Sequence, residues 1–132
     1  MSVDVAYSTA TVGDSLLLRL ARKLTVADGG FTLDPRTGFE VTEGYSVAVH
    51  EGREQQLTGA VRVADVKSYA YRNADLLAQS GTAFGGWRDP ETGIAYLDVS
   101  VVVATRAEAA QLARAHGQVA FYDFAAGCSV AV

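Results

Sequence analysis

The phrase Asp-Pro-x-Thr-Gly occurs twice in this chain, in "GGFTLDPRTGFEV" at 29–41 and in "GGWRDPETGIAYLDVSVVV" at 85–103. Each copy follows a Gly-Gly pair and an aromatic residue. The phrase has a mechanical reading. Asp34 or Asp89 accepts hydrogen bonds from following backbone N–H groups, and Pro presets φ for a type I turn. Gly38 or Gly93 then takes the left-handed conformation that closes a hairpin. A chain with two such turns must contain antiparallel strands. The two copies are too few for a repeat array, which needs at least three units.

The segments between the turns supply helices. In "DSLLLRLARKLTVADGG", Leu16, Leu17, Leu20, Ala21 and Leu24 form one apolar stripe, with Asp14 as expected N-cap and the Gly-Gly pair as stop. A second helix is expected over 63–80, where Val63, Val66, Tyr69, Ala70, Asn73, Leu76 and Leu77 follow helical spacing and Asn73 is the one polar member. A third starts at "TRAE", where Thr105 and Glu108 form a capping box, and runs to His116 before Gly117. "YSVAVHE", "QVAFYDF" and "CSVAV" read as strands, and the polar "EGREQQLTG" as a loop. In "IAYLDVSVVV", Leu97, Val99, Val101 and Val103 share one face; Tyr96, Asp98 and Ser100 share the other. Its run at 101–103 is apolar on both sides, which predicts a strand covered twice, near the middle of a sheet.

The expected fold class is therefore α+β, an antiparallel sheet with helices on one face. Residues 45–124 follow the β-α-β-β-α-β order of a ferredoxin-like fold, with an N-terminal helix and hairpin added. Two ββα units on one sheet are the alternative that the twin turns suggest. The 132 residues fit a single domain, with 1–28 as a helical extension and 29–132 as the core.

Composition narrows the function classes. Fifteen acidic against eleven basic residues give a net charge of −4, which disfavours nucleic acid as a partner. Cys128 is the single cysteine, so no internal disulfide forms, and a reducing, cytoplasmic setting is expected. No apolar run reaches the ~20 residues that span a bilayer, and the N-terminus has no signal-peptide pattern.

Candidate chemistry is sparse. His50 and His116 have no metal-ligand spacing to each other or to Cys128, and neither phosphate-loop nor nucleophile-elbow motifs occur. No cofactor, metal or catalytic residue is expected. Asp98 is the conspicuous acid, set in an apolar strand with Tyr96 and Ser100. If helices cover that face, Tyr69, Tyr71, Arg72 or Asn73 would partner it; if not, the three residues make an open polar row. Phe84 and Trp87 beside Gly85-Gly86, and Leu16, Leu20 and Leu24 on the first helix, are the expected partner-binding residues.

The second hairpin with "EAAQLARAHGQVAFYDF", and upstream "GFTLDPRTGFEVTEGYSVAVHEGREQQL", resemble a set of small uncharacterised proteins carried by phages and mobile elements of high-GC actinobacteria. The resemblance covers about residues 29–132. It implies a stand-alone accessory protein and supplies no activity or catalytic residue. The sequence thus predicts a non-enzymatic interaction domain that binds a protein partner or itself. The alternative is a small enzyme or ligand-binding domain that uses the Asp98 face.

Overall fold

The computed structural model describes residues 13–132. Both Asp-Pro-x-Thr-Gly segments fold into the same six-residue loop. In the first, Asp34 N donates to Phe39 O, Gly38 N to Asp34 O, Arg36 N to Asp34 Oδ1 and Phe39 N to Thr37 Oγ1. In the second, Asp89 N donates to Ile94 O, Gly93 N to Asp89 O, Glu91 N to Asp89 Oδ1 and Ile94 N to Thr92 Oγ1. The glycines match as well, at φ 77° for Gly38 and 75° for Gly93. The repeated phrase is one hydrogen-bonded loop built twice.

The strands are β1 (Gly30–Leu33), β2 (Tyr45–Val47), β3 (Gln55–Leu57), β4 (Thr82–Arg88), β5 (Ala95–Val103), β6 (Ala120–Asp123) and β7 (Cys128–Ala131). They form one antiparallel sheet in the order β1-β4-β5-β2-β6-β7, with β3 also paired to β5. The second hairpin is its spine: Thr82 pairs with Val101 and Arg88 with Ala95. On the other edge of β5, β2 faces Val101–Val103 and β3 faces Ala95–Leu97. Between Val47 and Gln55 the chain takes eight steps where β5 takes four, from Val101 to Leu97. A 3-10 turn, Glu51–Arg53, occupies the excursion. β3 was expected to be loop; "QQL" lacks an apolar alternation, and only its pairing with β5 makes it a strand.

Four helices, α1 (Asp14–Lys23), α2 (Val63–Arg72), α3 (Ala74–Leu77) and α4 (Arg106–Ala115), complete the mixed α+β architecture. Leu17, Leu20, Ala21 and Leu24 of the N-terminal segment and Val66, Tyr69 and Ala70 of α2 pack with Phe31, Leu33, Phe84, Leu97 and Val99. Tyr69 stacks on Phe84 at 5.4 Å, and Phe31 meets Phe84 edge-on at 5.2 Å. Ala109 and Ala113 of α4 form a second cluster with Val47 and Phe121. The ladder registers place all these strand residues on the same face of the sheet. Each fully buried leucine or phenylalanine contributes about 1.5–3 kcal/mol.

Several helix boundaries differ from expectation. Gly13, not Asp14, occupies the N-cap of α1, and α1 ends at Lys23, ahead of the glycine pair. The helix expected over 63–80 breaks at Asn73. Asn73 is buried; its Nδ2 donates to Tyr69 O at 2.9 Å and its Oδ1 accepts from Arg53 at 2.9 Å. An Asn side chain that bonds the preceding turn competes with the helix ladder. The capping box stands, with Glu108 N donating to Thr105 Oγ1 and Thr105 N to Glu108 Oε1, both at 3.2 Å. β5 is central, but Val101, Val102 and Val103 are half-buried rather than covered on both faces. No described helix is long and apolar enough to cross a membrane.

Candidate functional site: the open face of the sheet

Alternation along the strands puts Tyr96, Asp98 and Ser100 of β5 on the face away from the helices. Thr32, Gly85, Trp87, Ser46 and Tyr122 of the neighbouring strands point the same way. This face forms a groove of about 940 Å³. Thr32 of edge strand β1 and Ser129 of edge strand β7 line the same cavity, so the sheet curls around it.

The groove has two aromatic ends. Trp87 and Tyr96, cross-strand neighbours, stack at 6.1 Å with 20° between rings. Tyr122 and Phe124 meet at 5.2 Å and 67° at the other end. Trp87 is 42% exposed, and its Nε1 donates to Asp28 Oδ1 at 2.8 Å, which fixes the indole orientation.

The floor between these ends is polar. Ser100 is 6% exposed, and its hydroxyl has no hydrogen-bond partner among the described residues. Asp98 is half-buried and likewise has no hydrogen-bond or ion-pair partner among them. Its carboxylate rests on Gly85, where a β-carbon would collide with Oδ1. Burial pushes the Asp98 carboxyl up to about 6, with the nearby Glu54 charge adding to the effect. The excursion between β2 and β3 lies opposite Asp98, so Glu54 reaches this face without completing a ladder beside it.

Four carboxylates line the groove: Asp28, Glu40, Glu54 and Asp98. Among the described residues no Lys, Arg or His does so. Glu40 pairs with Lys23 at 2.6 Å at the β1 rim, and Glu54 accepts a 3.4 Å bond from Gln56. Among the described residues no group of His, Cys, Asp and Glu could hold a metal ion.

The residues expected to bind a partner are separated by the fold. Leu20, Leu24 and Phe84 are 0–1% exposed and belong to the chain's own core, so they cannot anchor a partner. The reason is strand parity for Phe84: it faces the helices, whereas Trp87, three residues on, faces the groove. Leu16 packs partly buried against the same core. Tyr69, Tyr71, Arg72 and Asn73 do not partner Asp98, because the helices cover the opposite face. The Tyr69 hydroxyl instead donates to Arg53 O at 2.7 Å, and Tyr71 is exposed. Cys128 is exposed on β7, and His116 is exposed at the α4 C-cap. Sequence reasoning missed Tyr122, Phe124, Glu54 and Asp28. The first two carry a signal: in "AFYDF", Phe121 and Asp123 alternate with Tyr122 and Phe124, and the buried pair marks the less buried one.

Compared with protein-family models, curated proteins and solved structures, the chain matches none. The class defined by fold and site is an α+β protein with a helix-backed antiparallel sheet and an open, acidic-aromatic groove.

Proposed function

We propose that this is a non-enzymatic binding domain that receives its partner on the open face of the sheet. One observation carries the reading. Asp98 and Ser100 sit at the floor of a groove with aromatic ends and have no partner among the described residues, and a polar group kept in such a place costs stability unless something completes it. A concave surface where polar groups converge beside a perturbed acid is a candidate binding site. The Trp87–Tyr96 stack gives a rigid aromatic anchor of the kind that dominates binding energy.

The finer fold assignment is part of this reading. The unit β2-α2-β4-β5-α4-β6 supports a ferredoxin-like core, because its fourth, first, third and second strands lie side by side as β6-β2-β5-β4. On that assignment β1 and β7 are additions that extend the sheet and wall the groove. A stand-alone accessory protein of phage or mobile-element origin is the setting that the sequence resemblance supports, and the single cysteine supports a cytoplasmic one.

The test is an NMR titration of the protein with three pools of capped hexapeptides, one basic, one acidic and one uncharged, each containing aromatic residues. Perturbation of the Tyr96, Asp98, Ser100 and Tyr122 amides and the Trp87 indole by any pool is the expected result. Saturating concentrations of all three pools with no change at these positions would overturn the reading.

A further inference from the structure

The distribution of charge within the groove says more than that something binds there. Asp28, Glu54 and Asp98 gather toward the Trp87–Tyr96 end, while among the described residues no carboxylate lines the Tyr122–Phe124 end. Asp28 is held by the Trp87 indole, Glu40 is offset by Lys23, and among the described residues Glu54 has only the long bond from Gln56. The uncompensated charge therefore concentrates at Asp98 and Glu54, beside the buried Ser100 hydroxyl. An occupant complementary to this surface is cationic at one end and apolar at the other.

Strand geometry sets the spacing. Tyr122 pairs with Ser46, and Ser46 with Val102, so Tyr122 stands four residues beyond Asp98 along β5. At ~3.3 Å per residue that is about 13 Å along the strands, and because β6 lies two strands from β5 it is also about 10 Å across them, about 16 Å in all. Residues i and i+4 of an extended chain stand about 13 Å apart with side chains pointing the same way, and a Lys stem and an aromatic ring span the remainder. From Tyr96 to the level of Val102 the floor runs about 20 Å, the length of about six extended residues. A linear polyamine has the length but distributes its charge evenly, against the one-sided pattern here.

Resting on the open-face reading above, we propose that the groove binds an extended polypeptide segment of a partner protein, with a Lys or Arg at Asp98 and an aromatic or large aliphatic residue four positions away against Tyr122 and Phe124. The stem of the basic side chain lies along the Trp87–Tyr96 stack, where a cation over aromatic faces gains further attraction. Its N–H donors satisfy the Asp98 carboxylate and the Ser100 hydroxyl. Gly85 leaves the room in which the carboxylate sits.

The experiment is a calorimetric titration of the full chain with capped Lys-Ser-Gly-Ser-Phe. Three peptide variants replace its Lys by Gln, its Lys by Glu, or its Phe by Ser, and free spermidine serves as a competitor. The expected result is saturable binding of the parent, at least tenfold weaker binding of each variant, and no displacement by spermidine at the parent's concentration. Asp98→Asn protein, checked for unchanged circular dichroism, binds the parent at least tenfold more weakly. Equal binding of the Lys, Gln and Glu peptides overturns the cation assignment and leaves the open-face reading standing. Displacement by equimolar spermidine overturns the polypeptide assignment. If the parent fails to bind but the acidic or uncharged pools above perturb the groove, this proposal fails alone; if no pool does so, both fail.

Discussion

Asp98 lies over Gly85, its antiparallel neighbour, with Oδ1 in the volume that a β-carbon on Gly85 would need. The pair explains how a carboxylate fits flat against a strand otherwise rich in valine. It also ties the most perturbed acid of the groove to a glycine whose φ is unremarkable, so space rather than backbone conformation requires the glycine. Gly85→Ala is expected to swing the Asp98 carboxylate away from its seat. The cost to stability is small, because a carboxylate end moves readily. The Asp98 titration, followed by carbon-detected NMR, moves down from about 6 toward the ordinary carboxylate range as the group gains water.

Gly86→Ala, one residue on, behaves differently. A β-carbon there would stand 2.5 and 2.7 Å from Phe31 ring carbons, and that ring is fixed in the core by Phe84. The expected loss is about 1–3 kcal/mol, as for overpacking generally, measured by urea unfolding.

Asp98→Asn is expected to stabilise the protein at pH 7 by about 1–2 kcal/mol, somewhat less than the full linkage value for a carboxyl raised to about 6. The sign follows from the direction of the shift. The folded state holds the Asp98 proton more tightly than the unfolded state, whose carboxyl titrates near 3.8. The wild-type contribution is thus complete below pH 4 and lost as pH rises through 6. Urea unfolding of both proteins at pH 4, 5.5 and 7 should show the gap opening with pH; a constant gap would contradict the burial of the charge.

Binding of the Lys peptide should depend on pH in the opposite sense. Protonation of Asp98 removes the partner of the cation, so affinity falls as pH drops below about 6, by up to tenfold per unit. Glu54 faces the same space and Asp28 and Glu40 line it, so the comparison must include the Asp98→Asn protein, whose affinity should change much less over pH 5.5–7.

Gly38→Ala and Gly93→Ala should each cost about 1 kcal/mol, since both glycines hold positive φ in the same loop. The double variant should show the sum within about 0.5 kcal/mol if the two loops act independently. Leu24→Ala, a deletion at a fully buried site, should cost about 2–5 kcal/mol and leave the sedimentation coefficient of the folded protein unchanged.

The readable parts of this chain were those where one residue type has one local use. Asp34, Pro35 and Gly38 identify a loop without reference to anything distant, and so do Thr105 and Glu108 at the start of α4. The alternation of β5 likewise divides Tyr96, Asp98 and Ser100 from Leu97 and Val99. What alternation does not contain is which side the helices take, since that is decided by packing between remote segments. That choice turned Phe84 and, on α1, Leu17 and Leu20 inward, and it left Asp98 to the groove instead of to Arg72 or Asn73. β3 was hidden for the same reason: Gln55 and Gln56 become strand only through a partner some 40 residues away in the chain. The aromatic far end was half visible, because Tyr122 and Phe124 alternate with residues that are buried.

The 3-10 turn between Val47 and Gln55 takes the chain out of the pleat, so the number of residues in the detour does not decide which side β3 shows. The register of Gln55 against Leu97 and of Leu57 against Ala95 decides it. A one-residue slip of that pairing would turn Gln55 and Leu57 outward and bring Gln56 under the helices. Changes of length within 48–54 should therefore be absorbed, whereas one inside Gln55–Leu57 would act as an inversion.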